Sequence, residues 1–315
     1  MLRRIADQAA LFVLRPASAR PLAVLRIGIS LALNGEAAAV APRLYDYYGP
    51  LGLVQAPIAE AIGRGSLPSL SEIADLAGIP ASTAVRLVFA VYVLALHLLL
   101  IGCKTRVAAA VSWLLFLVMK KAGSASAYGA FEFAHIGLFY CLVLPTGAEL
   151  SVDGLLRPAS PSAGARLGLR VLQIHLCIVY LSAGIEKALG QQWWNGEAIW
   201  RGLMRPGQVS IDFSWLAEWP FFAKALCWST VALETGYAIF VWPRRTRRWW
   251  VAAAISMHAA IAATLGLVFF SALMIVLNLA AFVVPAEAPL SRDASDAAGS
   301  PTADPAAACP TADPP

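Results

Sequence analysis

The sequence is poor in charge. Asp, Glu, Lys and Arg make up only 14% of its 315 residues, where a soluble domain carries about 25%. Cysteine is sparse as well. Cys103, Cys141, Cys177, Cys227 and Cys309 are scattered, no CxxC pair occurs, and three of the five fall inside apolar stretches. That excludes a disulfide framework and a zinc site, so no metal is expected. No basic run is interleaved with aromatics, so the pI near 9.1 does not indicate nucleic-acid binding. The alternating pattern of a membrane β-barrel is missing too.

What the chain has is apolar length. Hydrophobic residues make up 59% and the mean hydropathy is +0.67. Several segments exceed the roughly 18–20 apolar residues that cross a bilayer. In lipid every backbone amide must be paired internally, which leaves helices as the spanning element. The fold class expected is therefore all-α: a polytopic integral membrane bundle of about eight helices, over 22–41, 83–101, 105–122, 127–146, 167–189, 220–242, 249–264 and 266–284. The last two come from one apolar run of 36 residues, broken here near Leu265-Gly266; a seven-helix reading stays open. Residues 1–20 space Leu2, Ile5, Ala9, Phe12 and Val13 along one helical side, as an interfacial helix does. No signal cleavage is expected after it. Residues 21–285 form the transmembrane domain. Residues 286–315, rich in Ala, Pro, Asp and Ser and containing PTADP twice, read as a disordered cytoplasmic tail.

Positive charge sets the expected orientation. Arg3, Arg4, Arg15, Arg20, Lys104, Arg106, Arg157, Arg166 and the RRTRR of 244–248 all fall on one side if the helices alternate. That side is expected to be the cytoplasm, with both termini there, in a bacterial inner membrane. The opposite side carries two long loops, 42–82 and 190–219. The second holds QQWWNGEAIWRGLMRPGQ, whose tryptophans suit the membrane interface.

An ionisable side chain at mid-membrane costs about 2.5–3.5 kcal/mol on insertion scales, so each one is a functional candidate. The apolar segments hold Arg26, Glu36, His97, Glu132, His135, His175, Lys187, Lys224, Glu234 and His258, which include all four histidines. Gln173, Tyr180, Gly184 and Lys187 follow at helical spacing and share one face. Glu132 and His135 are three residues apart, so the carboxylate can orient the imidazole. Each has a structural reading beside the chemical one. Lys187 can snorkel from a helix end. The histidines can bridge helices, and Arg26 and Glu234 can pair with other charges.

The stretch Tyr180, Ala183-Gly184, Lys187, Gly190, Trp194, Gly196, Ala198 resembles the YxxAGxxKxxGxxWxxGxA motif of HTTM-domain membrane proteins, with one spacing that departs slightly, since Trp193-Trp194 offers two choices of register. That family includes the vitamin K-dependent γ-glutamyl carboxylase. Arg26-Ile-Gly28, GCKTR at 102–106, LPTGAELSVDG at 144–154, and Glu234 followed by His258, Phe270 and Met274 are similar to other family landmarks. The resemblance spans roughly residues 20–284. In the carboxylase branch it implies that the lysine deprotonates reduced vitamin K, an isoprenoid quinone. Oxygen then yields a strongly basic alkoxide, a glutamate γ-proton is removed, and CO2 adds. The sequence departs at Glu186, where the carboxylase has a second lysine.

On this reading Lys187, His258, Glu234, His135 and Glu132 are the catalytic candidates. Arg26, Tyr180, Gln173 and Trp194 are the substrate or cofactor contacts. The implied partners are the bilayer and a secreted peptide or protein; the oligomeric state stays open. Two other readings are weighed: a non-catalytic membrane partner that matures a secreted protein, and a transporter. No inverted repeat or interrupted helix pair supports the transporter.

Overall fold

In the computed structural model, residues 1–53, 58, 68–123, 128–205 and 211–287 are described. Residues 288–315, most of the expected tail, lie outside them. Among the described residues the chain is all-helical apart from one isolated bridge between Ala17 and Ser162. Nine long helices are numbered here: α1 (Leu2–Leu14), α2 (Arg20–Val40), α3 (Ala81–Ile101), α4 (Thr105–Ala122), α5 (Gly129–Val143), α6 (Ala163–Leu189), α7 (Pro220–Phe240), α8 (Arg244–Leu265) and α9 (Val268–Asn278). A π-helical turn, Leu279–Val283, continues α9.

Helices α2 to α9 coincide with the eight expected spans. By length and composition, three segments suffice to cross a membrane: Arg20–Tyr48, Ala81–Ile101 and Ala163–Leu189. Gly129–Val143 and Val268–Val283 are apolar but short. The other three helices are diluted by charge: Lys120 and Lys121 in α4, Lys224 and Glu234 in α7, and the arginines that open α8. The break in the last apolar run falls at Gly266, whose φ of +67° ends α8, a conformation that favours glycine.

Several boundaries move for local reasons. Helix α6 starts at Ala163, not 167, because the Ser162 side chain accepts from the Ala165 amide. Helix α5 stops at Val143 because Pro145 keeps Leu144 extended. Helix α8 absorbs the RRTRR turn and begins at Arg244.

The connections gather at two ends. At one end, Ser18 N–H donates to Ala286 O (2.9 Å), Ser18 Oγ and the Ala19 amide donate to Glu149 Oε1 (2.7 Å each), and Arg244 meets Glu287 at 3.6 Å. This end carries Arg15, Arg20, Lys104, Arg106, Arg157 and Arg244 to Arg248, and is called the basic end. At the other end sit Gln191–Trp194 and Glu197–Leu203, two short helices over the start of α7. It is called the tryptophan end.

The LPTGAELSVDG element is the latch of the basic end. Arg26, fully buried, donates through Nε to Thr146 O (3.1 Å), through Nη1 to Leu99 O (2.6 Å) and Leu100 O (2.5 Å), and through Nη2 to Leu150 O (2.5 Å). Asp153 accepts from the Lys104 and Thr105 amides and the Thr105 hydroxyl at 2.7–2.9 Å. Gly102 closes the latch: a Cβ there would stand 2.3 Å from Ser151 Cβ, and φ is +70°. Helix α1 lies against α6 at the same end, with the Arg170 guanidinium 3.8 Å above the Phe12 ring.

Candidate functional site

Helices α6 and α7 approach closely at Gly184, where a Cβ would stand 2.6 Å from Thr235 N. Small residues at such a crossing let the backbones touch. One turn further on, the contact sets Lys187 beside Glu234. Lys187 Nζ stands 2.8 Å from Glu234 Oε2, with side chains 24% and 8% exposed. The pair is an ion pair at hydrogen-bonding distance, and Glu234 is the more buried partner. The indole of Trp193 lies 5.3 Å from Lys187 Nζ, a cation–π distance.

Below this pair runs a directed chain of hydrogen bonds. Tyr237 O–H donates to Asn278 Oδ1 (2.6 Å). Asn278 Nδ2 donates to Tyr180 Oη (2.8 Å) and to Met274 O (2.9 Å). Tyr180 O–H has His258 Nε2 at 2.8 Å. Because Tyr180 already accepts from Asn278, its proton goes to Nε2. Neutral His258 then carries its own proton on Nδ1, a buried atom with no partner among the described residues. The Tyr180 and Tyr237 rings stack at 4.1 Å, and Phe270 stands edge-on to His258. Lys187 lies within electrostatic reach of His258, and Glu234 of Tyr180.

The structure therefore brings together Lys187, Glu234, His258 and Tyr180. It does not bring in the other candidates. Glu132 pairs with Lys120, and His135 stacks on Trp113 at 5.6 Å. Both sit on the α4–α5 side, with Phe133 and Phe270 between that helix pair and His258. Arg26 clamps the basic-end latch, because four backbone carbonyls surround its guanidinium. Gln173 is 14 residues before Lys187, roughly 21 Å along the helix. There it accepts from Arg170 and donates to Ala281 O (2.6 Å) in the π-turn. Trp194 is half exposed and donates to Ala188 O (2.8 Å); its neighbour Trp193 is the ring over Lys187.

Sequence reasoning passed over Asn278 and Tyr237, and of the Trp193-Trp194 pair it chose Trp194. An amide buried in VFFSALMIVLN was the available signal, since an unpaired polar group in lipid costs several kcal/mol. Two clefts of about 660 and 600 Å³ lie at the basic end, beside Arg20 and Lys104, far from this group. No metal-binding cluster of His, Cys, Asp and Glu occurs among the described residues.

Residues 73–285 match the HTTM domain. That is narrower than the resemblance drawn over 20–284, and Arg26-Ile-Gly28 falls outside it. No curated protein and no solved structure matches the chain. Because the matched span is well over half of the sequence and holds the α6–α9 landmarks, the chain belongs to the HTTM-domain family of membrane proteins.

Proposed function

We propose that this protein is a membrane enzyme whose base is the Lys187 amine, acting on a reduced isoprenoid quinone that arrives from the lipid. The observation that carries the reading is the Lys187–Glu234 pair. A snorkelling lysine reaches for water; this one turns to a buried carboxylate at 2.8 Å. Nζ becomes a base once its own proton passes to Glu234 Oε2, 2.8 Å away, and the quinol proton is then taken up on the neutral amine.

The residues present fit a quinol headgroup. Trp193 offers a flat apolar face, and Lys187 is partly accessible beside it. Leu181, Ile185 and Leu189 keep the outer side of α6 exposed and apolar, a wall suited to an isoprenoid chain. When bound, the quinol would supply an acidic hydroxyl and reducing electrons, with O2 and CO2 as the co-reactants of a carboxylase-like reaction. His258 contributes a fixed Nδ1 proton donor, and Tyr180 sets its tautomer. In this reading the basic end faces the cytoplasm of a bacterial inner membrane, with both termini there and Lys187 facing outward, an orientation that the arginine count supports. A secreted peptide or protein is the implied second substrate.

The test is quinol consumption by the purified protein in lipid nanodiscs under oxygen, wild type against Lys187→Met. Loss of a positioned base lowers turnover by about 10²–10⁴-fold, read per folded molecule at a temperature well below the variant's own unfolding temperature. Undiminished turnover in Lys187→Met removes the base assignment.

A second reading rests on the exposed aromatics of the tryptophan end: Trp194, Trp215, Trp219, Phe221, Phe222 and Trp228. They suit the docking of a secreted protein on a non-catalytic partner that helps it mature. Wild-type protein that consumes no quinol yet retains such a client supports this reading over the first.

A further inference from the structure

The basic end holds a cleft that the Lys187 chemistry does not use. Its volume is about 600 Å³, and Lys104, Thr105, Arg106, Val107, Leu144, Pro145, Asp153, Leu156 and Arg157 are among the residues lining it. Two kinds of surface meet there. One is cationic: Lys104, Arg106 and Arg157 are exposed, and among the described residues none of their side chains has an acidic partner. The other is apolar: Val107 is 61% and Leu156 76% exposed, beside the half-buried Leu144.

The acidic groups nearby are already engaged. Asp153 holds the amides that open α4, and Glu149 holds Ser18, Ala19 and Arg20. The cations are left to face outward together, at the end of the bundle where the helices leave the bilayer. A phosphate fits their charge. The exposed Val107 and Leu156, with Leu144 beside them, fit a chain attached to that phosphate. A soluble phosphate would make no use of exposed Val107 and Leu156.

We propose that this cleft binds an anionic phospholipid, its phosphate held by Lys104, Arg106 and Arg157 and one acyl chain lying along Val107, Leu144 and Leu156. The site is independent of the Lys187 reading and stands or falls by itself.

The test uses full-length protein in nanodiscs that mix phosphatidylglycerol with phosphatidylcholine. Lipid retained through detergent extraction is read by native mass spectrometry. Wild type is expected to retain phosphatidylglycerol selectively. Arg106→Gln/Arg157→Gln lowers that preference by about tenfold or more, at the usual contribution of a cation near an anionic surface. Arg245→Gln/Arg248→Gln removes equal charge from the same end, outside the cleft, and leaves the preference unchanged. Three results overturn the proposal: no preference in wild type, equal loss in both double variants, or displacement of the lipid by glycerol phosphate at matched concentration. The last would mark a soluble-phosphate site.

Discussion

Glu234 is the residue on which the site turns. Breaking a buried ion pair by removing one partner costs 3–5 kcal/mol. Lys187 keeps about a quarter of its side chain exposed, so the loss belongs at or below the lower end. Glu234→Gln is therefore predicted to lower stability by about 2–3 kcal/mol, seen as a fall in unfolding temperature in nanodiscs. Lys187→Met/Glu234→Gln removes both charges and should recover part of that loss. A double variant no more stable than Glu234→Gln would show that the charges do not interact. Lys187, Glu234, His258 and Tyr180 were legible in the sequence because ionisable and polar groups stand out against an apolar helix. Arg26 stood out equally, yet its partners Leu99, Leu100, Thr146 and Leu150 come from segments over 70 residues away. Only the folded chain shows that they saturate it.

At the scale of the element, the α6–α7 crossing decides where Lys187 stands. Gly184→Ala puts a methyl group 2.6 Å from Thr235 N, which the backbone must yield to. Overpacking of this kind costs about 1–3 kcal/mol, and it separates Lys187 from Glu234. The variant should lose both unfolding temperature and quinol turnover; a loss of neither would mean that the helices shift freely. The shared face of Gln173, Tyr180, Gly184 and Lys187 was readable from 3.6-residue spacing, and the face does turn inward. Spacing could not show that 27 residues of α6 carry Gln173 to one end and Lys187 to the other. Helix ends moved with local chemistry, as at Ser162 and Pro145.

At the scale of the molecule, the basic end is held by carboxylates that hydrogen-bond to backbone. Burial pushes the Asp153 carboxyl up, but the hydrogen bonds from Thr105 and the Lys104 amide, with the Arg26 charge, outweigh it and hold it below its ordinary range. A carboxyl depressed in the folded state adds stability that is present above its unfolded value, about 3.9. That stability is lost as pH falls through the lower folded value. Unfolding temperature should therefore drop more steeply below about pH 4 in wild type than in Asp153→Asn; parallel curves would exclude Asp153 as the cause. The gathering of arginines at one end was legible from loop charge. The latch itself was not, because it is built from turns whose partners are remote in sequence. The most direct test of a lipid-side site at Lys187 is photocrosslinking with an isoprenoid quinone that carries a photoreactive group on its ring. Wild-type protein in nanodiscs should be labelled within residues 180–200, at Trp193 above all, with labelling reduced in Trp193→Ala. Labelling confined to the basic end, or unchanged in Trp193→Ala, would contradict the site.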